Sequence, residues 1–125
     1  MKEEIKNWMK QASHDLKAAE YNLEGDMLDT ASFLCQQAVE RSLKALYIQE
    51  KKILKKTHSI SGLAKELNLP LDFIKKIAEL EPVYQKTRYP DIANVIPAEE
   101  FERSDVIEFL NTAEEVLSWI ENKLK

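Results

Sequence analysis

The sequence predicts an all-α fold, an up-and-down antiparallel bundle of four to five helices. Three observations predict it. Apolar residues recur at intervals of three and four through most of the 125 residues. Only two glycines are present, too few for a fold of tight hairpins, whose turns need positive-φ residues. The stretches between periodic segments are short, as neighbouring antiparallel helices require.

The first helix spans about residues 3–24, with Ile5, Trp8, Met9, Ala12, Leu16, Ala19 and Leu23 along one stripe. It is expected to stop at Gly25-Asp26, with Gly25 as a left-handed cap. The second helix runs from about Leu28 to Lys51. Ala31, Leu34, Cys35, Ala38, Ser42, Ala45 and Leu46 make one face, and Phe33, Val39, Leu43, Tyr47 and Ile48 carry apolar surface further round. A helix apolar on several sides packs on several neighbours or on a second copy.

A connection with four lysines, Lys51 to His58, leads to a short helix capped by Thr57 or Ser59 and ending near Asn68. Pro70 opens the next helix, with Phe73, Ile74, Ile77, Ala78 and Leu80 inward. Pro82 ends or kinks it, because its ring removes a helical hydrogen bond. Residues 88–97, with Pro90 and Pro97, read as an ordered loop. The last helix extends from about Ala98 to Lys123, its seam formed by Val106, Leu110, Ala113, Leu117, Ile120 and Leu124. No repeat or composition shift divides the chain, so residues 1–125 are expected to form one domain.

Composition excludes several functions. One cysteine makes no internal disulfide and no four-cysteine zinc site. No apolar run approaches the ~18 residues of a membrane span, and MKEEIKNWMK lacks the apolar centre of a signal peptide. A cytoplasmic protein is expected. The net charge is −4, with 10 Lys plus Arg against 9 acids in residues 1–60 and 8 against 13 in residues 61–125. Arg41, Lys44, Lys51, Lys52, Lys55 and Lys56 cluster near the end of the second helix. Glu99, Glu100, Glu102, Asp105 and Glu108 open the last helix, at its positive dipole end. Both groups read as solvated surface. A phosphate- or RNA-facing lysine patch is the alternative, weakened by the acidic balance.

Few residues offer chemistry. His14 falls outside the apolar stripe and reads as a surface histidine. His58 is either a packing residue at the start of the short helix or a general acid/base near phosphate, since imidazole titrates near physiological pH. Cys35 lies on an apolar face as an inert thiol. The two histidines are 44 positions apart and form no ligand pair, and the isolated Gly25 and Gly62 exclude a glycine-rich phosphate loop. No metal or cofactor is expected. The segment Tyr84-Gln85-Lys86-Thr87-Arg88-Tyr89-Pro90-Asp91 combines aromatic and charged groups where the helix gives out. It either locks the loop through Arg88 and Asp91 or binds a ligand.

The run Phe33-Leu34-Cys35-Gln36-Gln37-Ala38-Val39-Glu40-Arg41-Ser42-Leu43-Lys44-Ala45-Leu46 resembles the second-helix signature of HEPN domains, the higher eukaryote and prokaryote nucleotide-binding family. Three further blocks agree in order: Trp8 with Ala12 and Asp15-Leu16, Thr57-His58-Ser59-Ile60 with Leu63, and Arg88-Tyr89-Pro90-Asp91. The resemblance covers about residues 5–120. It implies a helical bundle that dimerises and acts beside a minimal nucleotidyltransferase, in many members as an RNase or toxin of a toxin–antitoxin pair, in others as a noncatalytic binding module.

HEPN ribonucleases carry an arginine followed a few residues on by histidine. This chain has three arginines. Leu46, Tyr47 and Ile48 stand at the histidine positions after Arg41, Ala93, Asn94 and Val95 after Arg88, and Glu108, Phe109 and Leu110 after Arg103. Arg88 matches best, although Tyr89 replaces the usual polar neighbour. Loss of that histidine removes an acid/base worth roughly 10²–10⁴-fold in rate. The expectation is therefore a nucleotide- and partner-binding homodimer, with Lys44, Arg88, Tyr89 and Asp91 lining a polar groove. The alternative is a divergent ribonuclease toxin using His58, Arg88 and Asp91.

Overall fold

The longest helices form where the apolar periodicity runs longest. The computed structural model describes residues 2–89 and 96–125. In chain order these contain α1 (Glu3–Glu24), α2 (Leu28–Lys51), α3 (Ile60–Glu66), α4 (Leu71–Leu80), α5 (Val83–Arg88), α6 (Pro97–Glu100) and α7 (Arg103–Leu124). Among the described residues there is no strand, and no helix is long and apolar enough to cross a membrane. The all-α bundle is the observed fold.

α2 is its axis. It packs along α1 and against α7, and α3 and α5 close on it from other sides. Ala31, Ala38 and Ala45 are fully buried, so small side chains let the neighbouring helices approach, and Leu43, Leu46 and Val39 fill the layers between. Each such Leu or Val contributes about 1.5–3 kcal/mol on leaving water. Tyr47 and Ile48, which the sequence leaves looking for a second copy, are already buried within one chain. Phe33, which extends the same surface, is half-buried.

The helix ends show where local chemistry decides. α1 stops at Gly25, as its sequence predicts, but Gly25 has φ −86 and the left-handed residue is Asp26, at φ 59. Asp can occupy this region because its short polar side chain bonds locally or across a turn. Here Asp26 Oδ1 accepts from Arg103 Nη1 at 2.6 Å, and the same nitrogen donates to Leu23 O at 2.8 Å. The end of α1 is thereby tied to the start of α7.

α4 ends at Leu80, before Pro82, which becomes the N-cap of α5. The last helix is not continuous from Ala98. α6 is a single turn beginning at Pro97, the chain extends through Phe101 and Glu102, and α7 starts afresh at Arg103. Glu102 and Asp105 form a reciprocal capping box there, satisfying amide donors that would otherwise lack partners. The break lets Phe101 turn inward, edge-on to Phe109 at 6.2 Å.

Cys35 is fully buried on α2, and burial, reinforced by Glu114 and Glu20, pushes its thiol from 9.0 up to about 12. The fold favours the neutral thiol, so this stabilisation is complete below about pH 9 and is lost as pH rises toward 12. Two outcomes are expected: a disulfide reagent labels Cys35 only on unfolding, and the thermal midpoint falls across that alkaline range. Rapid labelling of the native protein would contradict the buried position.

Candidate functional site

α2 is apolar nearly all round, yet Gln36, Glu40 and Lys44 follow one another at intervals of four on it, and all three are buried. Residues four apart share a helix face, so this spacing builds a polar column inside the bundle. Lys44 Nζ lies 3.0 Å from Glu40 Oε2 and sits over the Trp8 ring of α1 at 5.7 Å from its centre. Gln36 Nε2 donates to Glu40 Oε1 at 3.1 Å, and Gln37 Nε2 donates to Gln36 Oε1 at 2.7 Å.

The column reaches the surface at His58. Its Nδ1 is 3.3 Å from each Glu40 oxygen, while the side chain is 59% exposed. The backbone holds the residue there. Ser59 is the N-cap of α3, its Oγ accepting from Gly62 N at 3.1 Å, and Thr57 Oγ1 accepts from Ser59 N at 3.0 Å. Glu81, beyond α4, accepts from Ser61 N at 2.8 Å. The cap resolves to Ser59, with Thr57 supporting it.

α5 completes the site. Val83 anchors it in the core, and Thr87 Oγ1 donates back to Val83 O at 2.7 Å. The Tyr84 ring stacks on the His58 imidazole, with centres 4.3 Å apart and planes 17° apart, and lies 6.3 Å from Phe33. The Arg88 guanidinium lies over the Tyr84 ring at 5.1 Å and over Tyr89 at 5.9 Å. A cation and an imidazole thus share one aromatic ring, with the imidazole backed by a buried ion pair.

Sequence-predicted residues divide accordingly. His58, Arg88 and Tyr89 come together around Tyr84. Lys44 joins them only through Glu40, and its burial makes it a support rather than part of a groove wall. Asp91 lies outside the described residues, as does most of the loop read over residues 88–97. His14 is exposed on α1. Two buried carboxylates were not singled out by the sequence. Besides Glu40, Asp15 is buried on α1, where it pairs with Arg41 and accepts from Gln11 Nε2 at 3.0 Å. With Lys55 also paired to Glu66 at 3.4 Å, much of the lysine and arginine cluster already has acidic partners.

A depression of about 190 Å³ beside the ring is lined by Asp29, Thr30, Phe33, Thr87 and Arg88. It falls below the ~300–1,000 Å³ of pockets that engulf a small molecule, so a ligand here would lie on the surface. A larger, mainly apolar depression of about 430 Å³ lies between α1 and α7, at Met9 and Leu124. Neither His58 nor Arg88 reaches it. Among the described residues no group of His, Cys, Asp and Glu could hold a metal ion.

A family model of the HEPN domain matches residues 5–123. The chain belongs to the HEPN family. This HEPN domain is 31% identical over 136 aligned positions to a Methanocaldococcus jannaschii protein named as a proposed toxin, covering 96% of this chain and 88% of that one. An archaeal HEPN homologue of known structure is 36% identical, with a TM-score of 0.84 and 100% of both chains covered. A Thermus thermophilus protein of known structure is 31% identical, with a TM-score of 0.90 and 98% and 99% covered. A HEPN domain protein of Thermotoga maritima, 24% identical with a TM-score of 0.75 over 94% and 97% of the chains, shares the fold.

The Glu40–Lys44 pair sets a clear stability test. Glu40→Met alone leaves a buried, unpaired ammonium and is expected to cost about 3–5 kcal/mol in urea denaturation. Adding Lys44→Met should recover most of that loss. Equal destabilisation by the single and double variants would mean that packing, not charge, governs this position.

Proposed function

We propose that this HEPN domain is a nucleotide- and partner-binding module that works as a homodimer beside a minimal nucleotidyltransferase, as the toxin-like member of a two-protein pair. The observation that carries the reading is the packing of Arg88 and His58 on the single ring of Tyr84. Arg88 offers planar, permanently charged donors to a phosphate, and Tyr89, 38% exposed beside it, offers a face to a base. The shallow depression next to Arg88 suits a phosphate or sugar held from one side. The toxin-like assignment draws support from the relative named as a proposed toxin.

A dimer is supported by apolar side chains left outside the core where α1 ends and α7 begins. Tyr21, Met27 and Ile107 are 78%, 54% and 44% exposed there. The Arg103 contact with Leu23 and Asp26 brings those two ends together. Large exposed apolar groups in one region mark association surfaces. Sedimentation equilibrium is expected to give twice the chain mass, and affinity purification from the native host to recover a nucleotidyltransferase. A monomer recovered alone would overturn the partner reading.

Ribonuclease activity using His58, Arg88 and Asp91 is the second reading. The convergence of His58 and Arg88 on Tyr84 favours it, because a candidate acid/base and a phosphate-binding cation then contact the same ring although they are 30 positions apart. Both readings expect Arg88→Ala to weaken nucleotide binding about tenfold or more, the worth of a charge-assisted contact. Only the second expects expression to arrest growth and RNA cleavage to vanish in both Arg88→Ala and His58→Ala. Cleavage surviving in both variants would assign it to other residues.

A further inference from the structure

His58 is held from behind in a way that dictates which of its nitrogens is available. The Glu40 carboxylate receives the Lys44 ammonium on Oε2, Gln36 Nε2 on Oε1, and His58 Nδ1 across both oxygens. An ionised carboxylate has only acceptors, so Nδ1 must be the donor in that contact. A neutral imidazole carries one N–H, and with the proton on Nδ1 the lone pair is on Nε2. The side chain is 59% exposed, which leaves that second nitrogen open to solvent, on an imidazole stacked against Tyr84, the ring that Arg88 also contacts.

We infer that Glu40 is a positioning residue acting through His58, fixing the imidazole as its Nδ1–H tautomer so that Nε2 accepts a hydrogen bond from a ligand hydroxyl while Arg88 takes a neighbouring phosphate. The use of Nε2 rests on the reading of His58 and Arg88 as the ligand-facing pair; the tautomer itself does not. Lys44 and Gln36 serve the same end. Lys44 gives the buried carboxylate a cationic partner at 3.0 Å, and Gln36 fixes its rotation, so that both oxygens face the imidazole. The ligand class that fits has a hydroxyl next to a phosphate ester, as in a ribose 3′-phosphate, and the site distinguishes it from the deoxy sugar.

Long-range ¹H–¹⁵N correlation spectra of the full chain, at about pH 8 where a free imidazole is neutral, read the tautomer directly. His58 is expected to carry its proton on Nδ1. In the Glu40→Met/Lys44→Met double variant, which removes both charges together, the tautomer ratio should move toward Nε2–H by about tenfold, the worth of a charge-assisted hydrogen bond. A wild-type His58 protonated on Nε2, or an unchanged ratio in the folded double variant, overturns the inference whether or not any ligand binds.

Titration with adenosine 3′-monophosphate and its 2′-deoxy counterpart tests the use of Nε2. The ribonucleotide is expected to bind about three- to tenfold tighter and to move the Nε2 resonance, as one net hydrogen bond predicts. Equal affinities with an unmoved Nε2 overturn the acceptor role. Binding of neither compound overturns the ligand-site reading itself, and the tautomer of the free protein separates that failure from failure of the positioning role.

Discussion

A carboxylate and an ammonium buried side by side on α2 set the terms for the structure around them. Glu40 or Lys44 alone inside a helical bundle would cost several kcal/mol, so each needs the other and every remaining hydrogen-bonding position needs filling. Trp8 of α1 covers the ammonium, Gln36 takes one carboxylate oxygen, and His58 closes the carboxylate from outside. One buried charge pair therefore ties α1, α2 and the entry to α3. Apolar residues of the same size would hold the helices at least as well. What they would not do is anchor an imidazole at the surface.

The site is assembled from three segments that are distant in sequence and adjacent in space. α2 supplies the buried base of the column, the capped entry to α3 supplies His58, and α5 supplies the ring and the cation. Asp15 and Arg41 make a second such pair at the α1–α2 contact, with a buried acid and, unlike Lys44, a half-buried base. In both places the acid comes from a helix face that is otherwise committed to packing.

Much of the fold was legible because long amphipathic stripes state their own limits. α1 and α2 begin and end at the residues expected for them, 3–24 and 28–51, and Pro82 divides α4 from α5 as its missing amide requires. The start of α7 was not legible. Glu is a weak N-cap residue, so Glu102 with Asp105 does not stand out from the surrounding acids. Gly25 drew the left-handed turn by residue type, whereas tertiary pairing with Arg103 gave it to Asp26. At the site, His58 and Arg88 were legible as chemistry, but not as neighbours. Glu40 stands in the run that carries the family resemblance, but its residue type does not mark it as buried, because a helical carboxylate is normally solvated. The signal that could have found it is the four-residue spacing of Gln36, Glu40 and Lys44 on a helix with no exposed face to receive them.

Tyr84 and Arg88 ride on α5, which has six residues. A helix this short has no stability of its own in water. Val83 in the core and an ion pair from Lys86 to Glu100 of α6, at 3.1 Å, hold it in place. Such an element opens locally at a lower free energy than the long-helix bundle unfolds. The aromatic platform can therefore come apart while α1, α2 and α7 stay packed and His58 keeps its anchor on Glu40. The candidate site and the scaffold are separately adjustable: changes confined to residues 84–88 alter the site at little expense to the long-helix bundle, whereas Val83 belongs to the core.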